Sequence, residues 1–217
     1  MTSPAAVQVR ASGRARSRLF AAAALALAGT TSIACGGGPS AQAPGRAKLT
    51  GVLRFYPLAK DWQWAFLIHD AIQGGPGLLA VTKVTAFDGH VALLTTGKEL
   101  TELRVEKDGI VRVGSGAYLL RWPLAAGDRW PGANGATVEV TKVDASMTVE
   151  AGTFAGCVET TETFRGDDAR TVQTTFCPDV GPVRLDVRET ASAPGEVPAS
   201  AVATLRSFGP TLDLGAK

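Results

Sequence analysis

The chain has 217 residues, with 22 Lys and Arg against 20 Asp and Glu, a formal net charge of +2. Arg10, Arg14, Arg16 and Arg18 all fall within the first 34 residues, which hold no acidic residue; without that stretch 18 basic residues face 20 acidic ones, a net charge of −2. No basic patch interleaved with aromatic residues is then left for nucleic acid, and the two histidines, His69 and His90, are too few for most metal or acid–base schemes.

Taken in order, the chain begins with those arginines as a basic n-region, followed by a short apolar h-region from Leu19 to Ala28, the pattern of an export signal. The run is too short to span a membrane, which takes about 20 apolar residues, and no other stretch approaches that length. Ser32-Ile33-Ala34-Cys35, followed by three glycines, resembles a bacterial lipobox, with Ser32 in place of the usual leucine-type residue. The resemblance implies cleavage before Cys35 and acylation of its sulfur and new amino group. Ordinary cleavage at Ala34, or after Ala41-Gln42-Ala43, is the alternative. The expected division is a signal peptide over 1–34, a flexible Gly/Pro/Ser-rich tether over 35–47, one domain over 48–208 and a fraying tail over 209–217. The expected location is the envelope, held to the membrane by the N-terminal lipid. Because Gly36 is not an acidic retention-type residue, the outer membrane is the default.

The domain reads as all-β, an antiparallel sandwich or a curved, partly open barrel of some eleven strands, with one core. Trp62, Trp64, Phe66 and Ile68 alternate with polar and smaller residues, so an aromatic face should point inward. After the glycine-rich 73–77 loop, strands over 79–87 and 90–96 flank Asp88-Gly89, and strands over 100–106 and 110–114 flank Asp108-Gly109. Each Asp-Gly is expected as a two-residue turn with positive φ at both positions. Strands follow over 118–121, 137–143 and 147–150, with Ala151-Gly152-Thr153-Phe154 as a turn.

Thr160 to Phe164 and Arg170 to Phe176 read as a hairpin, and the register that opposes Phe164 to Arg170 also opposes Cys157 to Cys177. Opposed antiparallel residues lie about 4.5 to 5.5 Å apart at Cα, within disulfide reach, and export favours the oxidised form. A Cys157–Cys177 bridge is therefore expected. Pro178 and Pro182 should turn the chain, since neither can donate to a central ladder. A half-buried strand over 183–188 and a final strand over 201–208 complete the set.

Pro-Leu-Ala occurs twice with Trp at the same later spacing, in Tyr56 to Trp64 and in Trp122 to Trp130, and the two copies read as equivalent corners of one β domain. With Val149-Glu150-Ala151-Gly152-Thr153-Phe154 and Pro178-Asp179-Val180-Gly181, in that order, these motifs resemble the TapB-like domains. These form a family of exported bacterial β-rich domains, often lipoproteins, whose function is largely uncharacterised. Asp61, Glu150, Cys177 and Asp179 depart from the family pattern, which has glycine, proline, alanine and glycine at those positions. The resemblance implies a fold and no reaction.

The remaining chemistry is thin. No Gly-x-Ser-x-Gly elbow nominates a nucleophile, and Gly114-Ser115-Gly116 reads as a turn. Asp167-Asp168 lacks a calcium-loop register. Gly74-Gly75-Pro76-Gly77 lacks the lysine of a phosphate loop. Glu159, Glu162 and Asp186 could be assembled into a carboxylate pair only by the fold. The expectation is a non-enzymatic interaction or scaffold domain meeting an envelope protein, with no catalytic residue, cofactor or metal. The alternative is a carrier that cups an apolar or lipid-like ligand against Trp62, Trp64 and Leu93.

Overall fold

The computed structural model describes residues 49–70, 76–166, 169–190 and 199–211. Apolar–polar alternation between Gly, Pro and Asp turns produces twelve strands. The first six are β1 (Trp62–Asp70), β2 (Leu78–Phe87), β3 (Val91–Thr96), β4 (Glu99–Glu106), β5 (Gly109–Arg112) and β6 (Ala117–Arg121). The second six are β7 (Arg129–Pro131), β8 (Thr137–Val149), β9 (Gly152–Phe164), β10 (Arg170–Cys177), β11 (Gly181–Glu189) and β12 (Ser200–Pro210). Every pairing is antiparallel, and the sheet order β6-β5-β4-β3-β2-β1-β12-β11-β10-β9-β8-β7 is a meander whose last strand returns to its first. The result is a nearly closed barrel with one seam, between β6 and β7. There the Trp130 indole Nε1 donates to the Tyr118 carbonyl at 3.1 Å.

The two faces of the sheet explain its curvature. Trp62, Trp64 and Phe66 of β1 are buried together with Val84, Ala92, Leu94, Leu103, Leu120 and Leu205, so the apolar face lines the interior. Ion pairs occupy the surface, among them Lys83–Asp61, Arg104–Glu106 and Arg129–Glu139. An apolar interior inside a charged exterior is the reverse of a lipid-embedded barrel, which turns its apolar band outward.

Leu49 to Asp61 adds a plug. A single 3₁₀ turn over Gly51–Arg54 buries Val52, and Leu58 follows it into the core. The turn is pinned where the Asp179 amide donates to the Arg54 carbonyl at 2.6 Å. Tyr56 then stacks at a tilt on Trp64 and Phe176, with ring centroids 5.3 and 6.1 Å away.

The two Pro-Leu-Ala corners share a pair of backbone hydrogen bonds, although only the second has a cis proline, after Trp122. In the first, the Asp61 amide donates to Val84 O at 2.8 Å and the Trp62 amide to Ala59 O at 3.0 Å; in the second, Gly127 donates to Val140 O at 2.8 Å and Asp128 to Ala125 O at 3.0 Å. Asp61 (φ 66°) and Gly127 (φ 88°) hold the same left-handed position, so the aspartate replaces a glycine without changing the turn.

Several local expectations are corrected. At Asp88-Gly89 only Gly89 has positive φ (99°), and Asp88 instead accepts the His90 and Val91 amides on Oδ1 at 2.8 and 2.7 Å, an Asx turn. At the next hairpin Gly109 already pairs with Glu106, so Lys107-Asp108 is the two-residue turn. The segments 137–143 and 147–150 belong to one bulged strand, β8, and the turn before β9 has moved to Glu150-Ala151. Pro182 lies inside β11 opposite Phe176, where a register shift spares the ladder its missing donor. β12 continues to Pro210, and Thr211 donates to Asp61 O. Cys35, the signal and tether, Asp167-Asp168, and the tail beyond Thr211 lie outside the described residues.

The hairpin of β9 and β10 has the register Phe164↔Arg170, and the Cys157–Cys177 disulfide closes its far end with Cα atoms 4.2 Å apart. The bridge spans 20 residues, which in the chain-entropy account stabilises the fold by about 2 to 4 kcal/mol. Denaturant unfolding of Cys157→Ser/Cys177→Ser beside wild type should show a loss of that size, with the two melting curves coinciding only if the hairpin stays closed when unfolded.

Candidate functional site

The strands that flank the seam do not fill the barrel completely. A cavity of about 140 Å³ lies between Tyr56 on the plug, Arg112 on β5, Leu119 on β6, Val138 on β8, and the inward residues of β9, β10 and β11. Strand alternation decides who faces it. Thr160 and Glu162 point in from β9, Val172, Thr174 and Phe176 from β10, and Leu185 from β11; in the ladder Val172 opposes Glu162, and Thr174 opposes both Thr160 and Leu185. Leu119 reaches the cavity because the β5–β6 register shifts there, pairing Ile110 with Leu120 and Val111 with Tyr118.

The polar centre of the cavity is an ion pair across the seam. Arg112 Nη1 and Nη2 donate to Glu162 Oε1 and Oε2, each at 3.1 Å, in the planar bidentate arrangement that arginine alone provides. The Ala133 amide adds a third bond to Oε1 at 3.2 Å. Gly132 makes that approach possible, since a Cβ there would sit 2.6 Å from Glu162 Oε1. Tyr56, Thr160 and Thr174, each bearing a hydroxyl, also line the cavity. Burial pushes the Tyr56 phenol up to about 12, an effect that the nearby Arg112 cation partly offsets.

Of the three carboxylates that the sequence could not separate, the fold brings Glu162 to the cavity and places Glu159 and Asp186 on the opposite face of the sheet. There Glu159 is held by Thr141 and Lys142, at 3.0 and 3.1 Å. Asp186 accepts from Arg184 at 2.6 Å, and that hydrogen bond raises the arginine pKa. Among the described residues no carboxylate pair flanks the cavity. His69 and His90 are exposed, and Ser115 sits in a surface turn where its Oγ accepts from the Ala117 amide. Among the described residues no group of three or more His, Cys, Asp or Glu is placed to hold a metal. Leu93 is corrected: Ala92 and Leu94 are the buried residues of β3, so Leu93 faces away from Trp62 and Trp64.

No family model matches the chain, and neither does any curated protein. A solved structure of a candidate exported protein with a YmcC-like fold, from Bacteroides fragilis, is similar at 14% identity and a TM-score of 0.43, covering 70% of this chain and 96% of that one.

Tyr56, Thr160, Thr174 and Arg112 had not been nominated from the sequence. Arg112 carried a faint signal, a lone charge in the apolar run Ile110-Val111-Arg112-Val113. The raised phenol has a sign that can be checked. The unfolded chain releases the Tyr56 proton near the ordinary tyrosine value of 10.0, the folded protein only near about 12. The unfolded state therefore holds fewer protons in that window, and stability falls as pH rises through it. Melting temperatures of wild type and Tyr56→Phe should run parallel below pH 10 and converge or cross above it, wild type dropping faster; parallel curves throughout would place the phenol in water.

Proposed function

We propose that the protein is an exported envelope lipoprotein whose barrel works without catalysis as a binding module for a small apolar or lipid-like ligand. The observation that carries this reading is the cavity itself: an interior lined by Leu119, Val138 and Leu185 together with the hydroxyl-bearing Tyr56, Thr160 and Thr174. Ligand sites are typically apolar hollows with a few placed polar groups. The signal pattern, the lipobox-like Ser32 to Cys35 and the motif order resembling TapB-like domains support the envelope setting, with the outer membrane favoured by Gly36. The charge balance of the mature chain speaks against a nucleic-acid partner.

A scaffold or interaction role with an envelope protein is the second reading. It has its own observation in Leu78, Leu79 and Leu100, which are 68%, 56% and 65% exposed on β2 and β4. Native mass spectrometry and solvent extraction of the purified protein separate the two. A small molecule retained across preparations supports the binding module. An empty barrel rejects it in favour of the scaffold, for which crosslinking in the native envelope should recover one defined partner. The anchor is checked separately: labelled palmitate should be incorporated by wild type and lost in Cys35→Ser, whereas an unlabelled wild type removes the lipid.

A further inference from the structure

We infer that the cavity selects a neutral, hydroxyl- or carbonyl-headed aliphatic molecule over the corresponding carboxylate, and that Glu162 sets this choice; the inference rests on the binding reading above. Size comes first. At about 30 Å³ per water, and with an apolar cavity of about 150 Å³ known to take benzene, the 140 Å³ cavity accommodates on the order of five waters or about six heavy atoms of a ligand. Its apolar walls suit an aliphatic body. The hydroxyls of Tyr56, Thr160 and Thr174 can each donate and accept, so they match an alcohol, ester or amide head.

Charge decides the rest. An isolated Arg112 would favour an anionic head, but both of its terminal nitrogens are already bonded to Glu162, whose carboxylate balances the guanidinium. Glu162 is itself held by Ala133 N and cannot swing aside without abandoning that amide. A carboxylate entering the cavity would thus meet a second carboxylate and a cation already neutralised, and would give up its hydration for neither. A neutral head pays no such penalty. Replacing the Glu162 carboxylate with an amide keeps the acceptor for Ala133 and leaves Arg112 without its counter-charge, so the preference should move toward anions.

The test uses the full chain carrying Cys35→Ser, so that no attached acyl chain competes, titrated calorimetrically at pH 8 with 1-octanol and with octanoate. Wild-type Glu162 should bind octanol at least about tenfold more tightly than octanoate. Glu162→Gln should strengthen octanoate binding by about tenfold or more. Tyr56→Phe, which alters no charge, should weaken octanol by about fivefold. Equal affinity for the two probes in wild type, or an unchanged ratio in a folded Glu162→Gln, overturns the inference and leaves the binding reading standing. If Glu162→Gln does not fold, the wild-type ratio and the Tyr56→Phe arm still decide. Failure of both probes to bind overturns the inference; the binding reading itself stands or falls by whether the purified protein carries a small molecule.

Discussion

A sheet of twelve strands has to solve a filling problem. About eight strands enclose an interior just wide enough for their own side chains, and the width grows with strand number. This chain meets the excess width from two directions. β1 contributes Trp62, Trp64 and Phe66, and the N-terminal segment lays Val52, Tyr56 and Leu58 across them. Trp64 is the centre of this packing, fully buried, with its Nε1 donating to Val180 O at 2.7 Å. The first residue of β11 approaches so closely that a Cβ on Gly181, at φ +104°, would lie 2.7 Å from that nitrogen. The cavity is what these devices leave unfilled, and Tyr56 stands on the boundary, touching Trp64 on one side and the cavity on the other.

The recurring Pro-Leu-Ala corner fits the same constraint. Each copy opens a run of six strands, β1 to β6 and β7 to β12, and each delivers a tryptophan to the interior, Trp64 fully and Trp130 almost fully buried. What recurs is the set of backbone hydrogen bonds and one left-handed residue, and these place little demand on neighbouring side chains. That explains why so little else in the two halves matches in sequence. Phe154 and Phe208 complete the pattern at the first corner, stacking edge-on against each other at 5.8 Å, with Phe208 6.0 Å from Trp62.

Local features of the fold were legible because their causes are local. The alternation in β1 and the register of the β9–β10 hairpin follow from side-chain period and loop length, so pairing Phe164 with Arg170 could be read directly. Barrel closure could not, because β1 pairs with β12 from the far end of the chain, and no neighbouring residue announces a partner so distant. β7, three residues long, was hidden for a different reason: Arg129-Trp130-Pro131 is too short to show alternation. The Asp-Gly turns were misassigned because aspartate has two uses. Asp88 bonds amides with its carboxylate instead of adopting the left-handed conformation that Asp61 and Asp179 adopt. The cavity was less legible still, since its residues come from six strands and the plug, and only the ladder decides that Glu162 turns inward while Glu159 and Asp186 turn away.

The seam ties the cavity to the architecture. β6 and β7 share no backbone ladder, so the barrel is held there by side chains: Trp130 to the Tyr118 carbonyl, and Arg112 on β5 to Glu162 on β9. A well-packed apolar pair would close such a gap at lower desolvation cost, because a partly buried ion pair regains in mutual attraction little more than it loses in hydration. Stability alone therefore gives no reason for a bidentate arginine–glutamate pair at this point. Its position gives one: the pair forms part of the wall of a barrel cavity that the aromatic residues leave open, beside Tyr56, Thr160 and Thr174. Closure of the seam and the polarity of the cavity are thus set by the same two side chains, so changing the charge of either one alters the polarity of the cavity as well as how firmly the barrel is shut.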